Sequence, residues 1–292
     1  MADSGARSLL TVGDLDRKSV ETLWSSVGTV STVEAALPVA CSFQGTGVRT
    51  RTTFLRALAL LRIPTVGLPG LLESRERPQD LAGYLDVFYS LYVVRHQDHQ
   101  RLAAFAEASS RPVINAMSSH EHPCEALADG YWFETYVRPL SHATILLWGP
   151  ATNVLRSWAS LCTTFSASVH QHAPADLCLP VPRVSPPDLG RLKPDMVVTD
   201  SWPSGFLERR YSLSLRTLEA LGNPLLLPTP PFTIGEELAF DPLTYPGFVG
   251  YRQKEWLLPV QQAVVAYFLT QATVGSMPSF HLPKNSETRR FS

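Results

Sequence analysis

The chain has 292 residues, of which 45% are hydrophobic and 17% charged, with a formal net charge of −1. That length suits one large domain or two ordinary ones, and the composition is globular rather than disordered. No basic excess is present to neutralise a phosphate backbone, so no nucleic-acid partner is expected. No apolar run approaches the ~18–20 residues of a membrane span, so no membrane role is expected either. The N-terminal stretch MADSGARSLLTVGDLDRK has only a short apolar patch, broken by Gly13 and Asp14, and does not read as a signal peptide. Cys41, Cys124, Cys162 and Cys178 are scattered without a CxxC pair, and reduced thiols in a cytoplasm are the expectation. Lysine occurs only at 18, 193, 254 and 284, so arginine, the better oxyanion binder, carries most of the positive charge.

In chain order, 36–43, 63–69, 87–95 and 111–117 are short apolar runs that predict buried parallel strands. Helical patterns at 50–61 and 97–109 separate them, which makes a βαβ series. A connecting helix is expected over 122–136. The alternation then resumes: a strand at 143–149, a helix over 151–163, strands at 175–182 and 195–200, a helix over roughly 206–221 and a strand at 224–228. The fold class is therefore α/β, with two parallel-sheet domains joined by helices. The expected division is 1–137 and 138–272, with a disordered tail over 273–292. A last helix spans 254–270, its regular part limited by Pro259, and is expected to pack back on the first domain.

Ligands of open α/β sheets bind outside the carboxyl ends of strands. The first strand runs into FQGTGVRTRTTF, where glycines let the backbone approach a ligand and a helix start offers unpaired N–H groups. Arg49 and Arg51 add charge and Thr50 a hydroxyl, and a solvated turn is the competing reading. No GK[ST] follows, so this is not a Walker A loop. The third strand ends at Arg95 and His96. The fourth leads to His120, Glu121, His122, Cys124 and Glu125, whose crowded spacing does not converge tetrahedrally and lacks a second ligand pair. No metal and no cofactor are expected.

Taken together these motifs resemble the aspartate/ornithine carbamoyltransferases: an RTR loop after strand one, RH after strand three, and HPCE opening a helix after VIN. The second half agrees. WGPATNVLRSW at 148–158 is similar to the family's GDGNNVxxSW, VVTDSWPSG at 197–205 to the ornithine branch's TDxWxSMG, and LLLP at 225–228 to its HCLP. YRQKEWLLPVQQAV at 251–264 matches FxQAENRLHxQKAV, so the resemblance spans roughly residues 8–270 in order.

The resemblance implies a first domain that binds carbamoyl phosphate, a second that binds an amino-acid-like acceptor, and a homotrimer with sites near subunit contacts. An acceptor amine attacks the carbonyl of carbamoyl phosphate and phosphate leaves. Gly47, Val48, Arg49, Thr50 and Arg51 stand in the phosphate loop, Arg95 and His122 where phosphate and carbonyl oxygen are gripped, and Glu125 where a Gln faces the carbamoyl NH2. Leu227 carries a carbonyl toward that NH2, and its bond to Pro228 is expected to be cis. Asn153, Asp200 and Ser204 match acceptor-binding positions, with a helix cap as the other reading of Asp200. Leu226 stands where the Cys of HCLP faces the acceptor side chain. Glu73 and Ser74 resemble the family's ES segment, and the neighbouring Arg75 and Arg77 read as a solvated charge run.

Departures fall inside the motifs. Gly47 and Val48 replace two hydroxyl residues, Pro150 an Asp, Glu125 a Gln, Leu226 a Cys and Leu257 an Arg. Losing a cation and gaining an anion shifts the pocket by about two charge units against carbamoyl phosphate. Burial is expected to raise the Glu125 pKa unless Arg95 or an arginine of the 80s region comes close. The sequence therefore indicates a diverged enzyme transferring a carbamoyl or analogous group, with secondary metabolism as its setting and ornithine and aspartate as poor acceptors. Repurposing for a cyclisation or lyase step, and a non-catalytic ligand-binding role, are the alternatives.

Overall fold

The computed structural model describes residues 7–274. After a short N-terminal segment come α1 (Arg17–Ser25), β1 (Val39–Phe43), α2 (Val48–Leu60), β2 (Thr65–Gly67), α3 (Pro78–Leu85), β3 (Leu91–Arg95), α4 (His99–Ala108) and β4 (Val113–Met117). These strands form a wholly parallel sheet in the order β2-β1-β3-β4. Helix α5 (Pro123–Tyr136) leads to β5 (Thr144–Trp148), α6 (Asn153–Phe165), β6 (Ser168–His172), β7 (Val184–Ser185), β8 (Met196–Thr199), α7 (Leu215–Ala220) and β9 (Leu225–Pro228). The second sheet is also parallel, ordered β7-β6-β5-β8-β9. α8 (Leu257–Val274) lies against α1, α2 and α5. The fold is thus α/β with two parallel-sheet domains.

Several elements differ from the sequence reading. The second strand of the second sheet is Ser168–His172 rather than 175–182. Its single β-branched residue hides it from a search for apolar runs. The 175–182 segment holds Pro180 and Pro182, which have no N–H to give a ladder, and Leu179 N–H is taken by Gln171 Oε1 at 2.7 Å. Helix α7 is shorter than 206–221 because Leu213 is extended, exchanging hydrogen bonds with Glu237 and Ala239, and Ser214 caps the helix by accepting from Thr217 N–H. Two helices were not anticipated. α1 is capped by Asp16, which accepts from Ser19 N–H at 2.7 Å, and α3 starts with Pro78 at its first position. Pro259 sits in the first turn of α8, where its missing N–H costs no intrahelical bond. The tail over 275–292, expected to be disordered, lies outside the described residues. Among the described residues no helix is long and apolar enough to cross a membrane.

One apolar core runs through both halves. Phe54, Phe133, Trp158, Phe165 and Phe268 are fully buried within it, as are residues of β1, β5 and β8. Smaller clusters cover the outer faces, around Tyr92 and Phe105 on the first sheet and around Leu146, Trp148 and Leu226 on the second. Just before α5, buried Glu121 ties the halves together. It accepts from Val12 N–H at 2.8 Å, Ser157 Oγ at 3.2 Å and Ser160 Oγ at 2.8 Å, joining the N-terminal segment to α6. Asn115 adds a bond from Nδ2 to Leu10 O at 2.7 Å. Glu121→Ala leaves these donors facing a buried gap, and a stability loss of ~1–3 kcal/mol is expected by urea unfolding. An unfolding midpoint equal to that of wild type would show that the junction holds without it.

Candidate active site

In each sheet the strand order reverses once, between β1 and β3 in the first and between β5 and β8 in the second. A crevice opens at the carboxyl end of such a reversal because the flanking connections leave to opposite faces. The loops after β1 and β3, and those after β5 and β8, carry most of the residues singled out from the sequence.

At the first reversal, Gly47 caps α2 with φ of 38°, a left-handed conformation that glycine adopts without strain. A side chain there would also press on Arg95, since a Cβ would lie 3.2 Å from Arg95 Cδ. The first N–H groups of α2, from Val48, Arg49 and Thr50, have no intrahelical acceptor and form a natural anion seat. Arg95 Nη1 donates to Thr50 Oγ1 at 3.1 Å, and burial together with the Arg49 charge lowers the Arg95 pKa. Arg49 reaches across to the loop after β9, donating from Nη2 to Pro230 O at 3.0 Å. Arg51 is exposed one helical step further on.

His122 sits at the N-cap of α5, with Pro123 as the first helical residue. Its N–H donates to Ser157 Oγ at 2.9 Å, Nε2 lies 3.8 Å from Glu125 Oε2, and Nδ1 is buried without a partner. Burial outweighs the nearby carboxylate and pushes the His122 pKa down to about 4, so the ring is neutral near pH 7.

Glu125 corrects the sequence reading. Its carboxylate binds the ammonium of Lys254, which also donates to Asp129 Oδ1 at 3.1 Å and Oδ2 at 3.3 Å. The cation lost at Leu257 is therefore replaced by one three residues earlier, and neither Arg95 nor an arginine of the 80s region supplies it. Although burial works to raise the Glu125 pKa, Lys254 and His122 overcome it and hold the carboxyl below its ordinary range. Asp129, one helical turn on, moves the other way through burial and the charge of Glu125, while the two carboxylates raise Lys254. Lys254 escaped the sequence reading. Its signal was a rare lysine in an apolar C-terminal segment, opposite two acids at i and i+4 on α5. Leu257 itself is buried in the main core.

The other residues crowded before and within α5 have separate roles. His120 stacks on His99 with ring centroids 4.7 Å apart, and Cys124 Sγ lies 3.8 Å from Asn115 O. Among the described residues no group of three His, Cys, Asp or Glu side chains is placed to hold a metal ion.

At the second reversal, Thr152 caps α6 and Asn153 follows it. Asn153 Nδ2 donates across to Ser118 O at 2.7 Å, and Oδ1 accepts its neighbour Val154 N–H. Asp200 directly follows β8 and is partly buried. Burial raises its pKa to about 6 against hydrogen bonds from Thr152 and Ser201, with Glu125 and Glu237 adding to the rise. Ser204 lies in the exposed turn that follows. Thr199 Oγ1, Trp202 Nε1, Thr229 Oγ1 and Glu237 Oε2 are buried without partners.

On β9 the strand alternation sends Leu226 into the outer core beside Leu146, Trp148 and Val197, and Leu227 into the main core. Leu226 is thus a packing residue rather than a side chain facing the cleft. The Leu227–Pro228 bond is trans, contrary to expectation. β9 continues extended through it, with Pro228 in register with Thr199 and Thr229 N–H donating to Thr199 O at 2.8 Å. The cis bond among the described residues is Pro230–Pro231.

Two parallel α/β domains, with a crevice at the strand reversal of each, define the class. Residues 7–135 match the family model described as aspartate/ornithine carbamoyltransferase, carbamoyl-P binding domain. The ornithine carbamoyltransferase of Nitrobacter winogradskyi is 26% identical over 261 residues, 80% of this chain and 85% of that one. That of Rhizobium johnstonii is 27% identical over 261 residues, 79% of this chain and 84% of its own. In structure, the chain is similar to the ornithine carbamoyltransferase from Pyrococcus furiosus, with a TM-score of 0.79 at 22% identity over 92% of this chain and 99% of the other. It is also similar to the aspartate transcarbamoylase from Trypanosoma cruzi, with a TM-score of 0.74 at 17% identity over 91% and 98%. Residues 7–135 thus match that family's carbamoyl-P binding domain, and the chain as a whole is similar in sequence and fold to ornithine carbamoyltransferases.

The burial of His122 gives a direct expectation. Its imidazole stays neutral as pH falls from 8 to about 5, because charging it removes hydration that the pocket does not replace. Proton NMR of the ring checks this, and a midpoint at the ordinary 6.5 would contradict the burial.

Proposed function

We propose that this chain transfers a carbamoyl or closely analogous group from an acyl phosphate to the amine of an amino-acid-like acceptor. The observation that carries the reading is convergence. Arg95 bonds Thr50 in the first turn of α2, and the charges of Arg95, Glu125 and Lys254 act on buried His122. That of Arg49 acts on Glu125, and that of Glu125 reaches Asp200 in the other domain. The amine nitrogen forms the new bond to the carbonyl carbon as the carbon–oxygen bond to phosphate breaks, and the ammonium must lose a proton first. The α2 N–H groups with Gly47, Val48 and Thr50, together with Arg49, Arg51 and Arg95, take the phosphate and its leaving charge. Arg suits this role because its planar fork can donate two parallel hydrogen bonds. An N–H at the partnerless Nδ1 of His122 suits the carbonyl oxygen, whose negative charge grows in the transition state. The trans Leu227–Pro228 bond removes the geometric argument for a Leu227 carbonyl turned toward the donor.

On the acceptor side, Asp200 suits an ammonium, with Asn153 and Ser204 beside it. Asn153 must release Ser118 O, or act through Oδ1, to take part. The partnerless polar atoms of Thr199, Trp202, Thr229 and Glu237 are further groups that a polar acceptor satisfies. Leu226, packed in the outer core, does not bear on the choice of acceptor. A lyase or cyclisation role for Glu125 loses support, because a carboxylate held ionised by Lys254 is a weak base.

The same proposal places the protein in a cytoplasm and in secondary metabolism, the latter supported by departures inside otherwise matching motifs. It divides the chain near Val137, between the end of α5 and the second sheet. It also includes a homotrimer formed through the first domain, supported by the wholly exposed edge strand β2 and the exposed pair Tyr84 and Phe88, whose rings are 5.9 Å apart.

Isothermal titration with carbamoyl phosphate tests the donor site. Arg95→Ala is expected to weaken binding by about tenfold or more, the loss of a charge-assisted contact. Equal affinity in wild type and variant, or no binding by wild type, overturns the donor site. In the same preparation, sedimentation equilibrium is expected to give a trimer mass, and a monomer at micromolar concentration contradicts the shared surface.

A further inference from the structure

The donor reading leaves one problem. A carboxylate beside a phosphate dianion repels it, yet Glu125 occupies the position in the crevice next to His122. Lys254 resolves the conflict geometrically. It arrives on the short 3-10 turn Gln253–Trp256 immediately before α8, and its ammonium lies between Glu125 and Asp129 of α5. Only one oxygen of Glu125 is used, since Oε1 takes the ammonium while Oε2 remains on the His122 side, 3.8 Å from Nε2.

We infer that Lys254 is a positioning residue of the donor pocket: it cancels the charge of Glu125 and turns Oε2 toward His122, where that oxygen accepts the N–H of a carbamoyl-type donor. This rests on the donor reading above. It gives a chemical sense to the replacement of a neutral amide by an acid. An amide oxygen accepts such an N–H without help, whereas a carboxylate beside phosphate does so only with a cation fixed behind it. The donor class that fits is an acyl phosphate bearing an N–H2 group next to its carbonyl. A donor without that N–H leaves Oε2 with nothing to accept.

The groups that set this balance come from every packed element. Glu125, Asp129 and His122 belong to α5, Arg95 to β3 and Arg49 to α2. Gln253 touches Asp129 from the same turn as Lys254. Without the ammonium, Glu125 and Asp129 retain a shared proton at low pH and lose it as pH rises. The second negative charge then appears beside the phosphate.

The experiment is carbamoyl-phosphate binding by calorimetry between about pH 5.5 and pH 8.5 on wild type, Lys254→Met, Lys254→Arg and the double variant Lys254→Met with Glu125→Gln. Lys254→Met is expected to bind at least about tenfold more weakly than wild type at the alkaline end, the deficit shrinking as pH falls. Lys254→Arg and the double variant are expected within about threefold of wild type, with a pH profile parallel to it. If Lys254→Met is insoluble, combining it with Asp129→Asn removes the carboxylate pair but leaves Glu125 uncompensated, and the same pH-dependent deficit is expected. A deficit that is equal at every pH and unrelieved by Glu125→Gln assigns Lys254 a packing role and overturns the inference while leaving the donor site intact. So does unchanged binding by Lys254→Met. Failure of the wild type to bind carbamoyl phosphate overturns the donor reading and this inference with it.

Discussion

The ammonium of Lys254 between Glu125 and Asp129 is the interaction on which the rest of the crevice depends. Three ionisable groups are brought out of water there, and each is tolerable only because of the others. Replacing the ammonium by a hydrocarbon leaves two acids one helical turn apart in a site with little water to solvate them. The contact also has mechanical consequences. It joins the turn before α8 to the first turns of α5, the helix that His122 caps. The cation that balances the charge therefore also fixes the helix behind His122.

Around this centre the two domains are joined by polar contacts that cross the crevice as well as by the shared core. Arg49 reaches Pro230 O, Asn153 reaches Ser118 O, and Glu121 gathers donors from the N-terminal segment and α6. The resulting field is divided: Arg49 and Arg95 stand near the α2 N-terminus, whereas Asp200 and Glu237 concentrate on the second domain. Such a division suits an anionic donor on one side and an ammonium on the other. Burial reinforces it by keeping His122 neutral and Glu125 ionised, which leaves the two groups able to donate and accept, respectively, near pH 7.

The alternation of apolar runs and helical patterns showed both parallel sheets in the sequence, because strands buried on both faces must be continuously hydrophobic. β6 and the two-residue β7 were the exceptions. In β6, Val169 and Gln171 are buried and alternate with the half-buried His170 and His172, and the polar Gln171 is held by bonding Gly149 O and Leu179 N–H. No local pattern reveals such long-range satisfaction. Motif and strand-end position singled out Gly47, Arg49, Arg95, His122 and Asp200, and these stand at helix starts and strand ends as read. Lys254 was not singled out, because its meaning depends on α5 acids more than a hundred residues away in the chain. The same limit explains Leu226 and Leu227. Their motif is visible, but which face of β9 each occupies, and whether the next bond is cis, depends on pairing with β8.

A structure determined with carbamoyl phosphate bound tests the central claim most directly. The account places the phosphate between the α2 N-terminus and Arg95, with the donor N–H2 on Glu125 Oε2 and Lys254 still on Oε1. A bound donor with Lys254 moved onto the phosphate, and Glu125 swung out of the crevice, would contradict it.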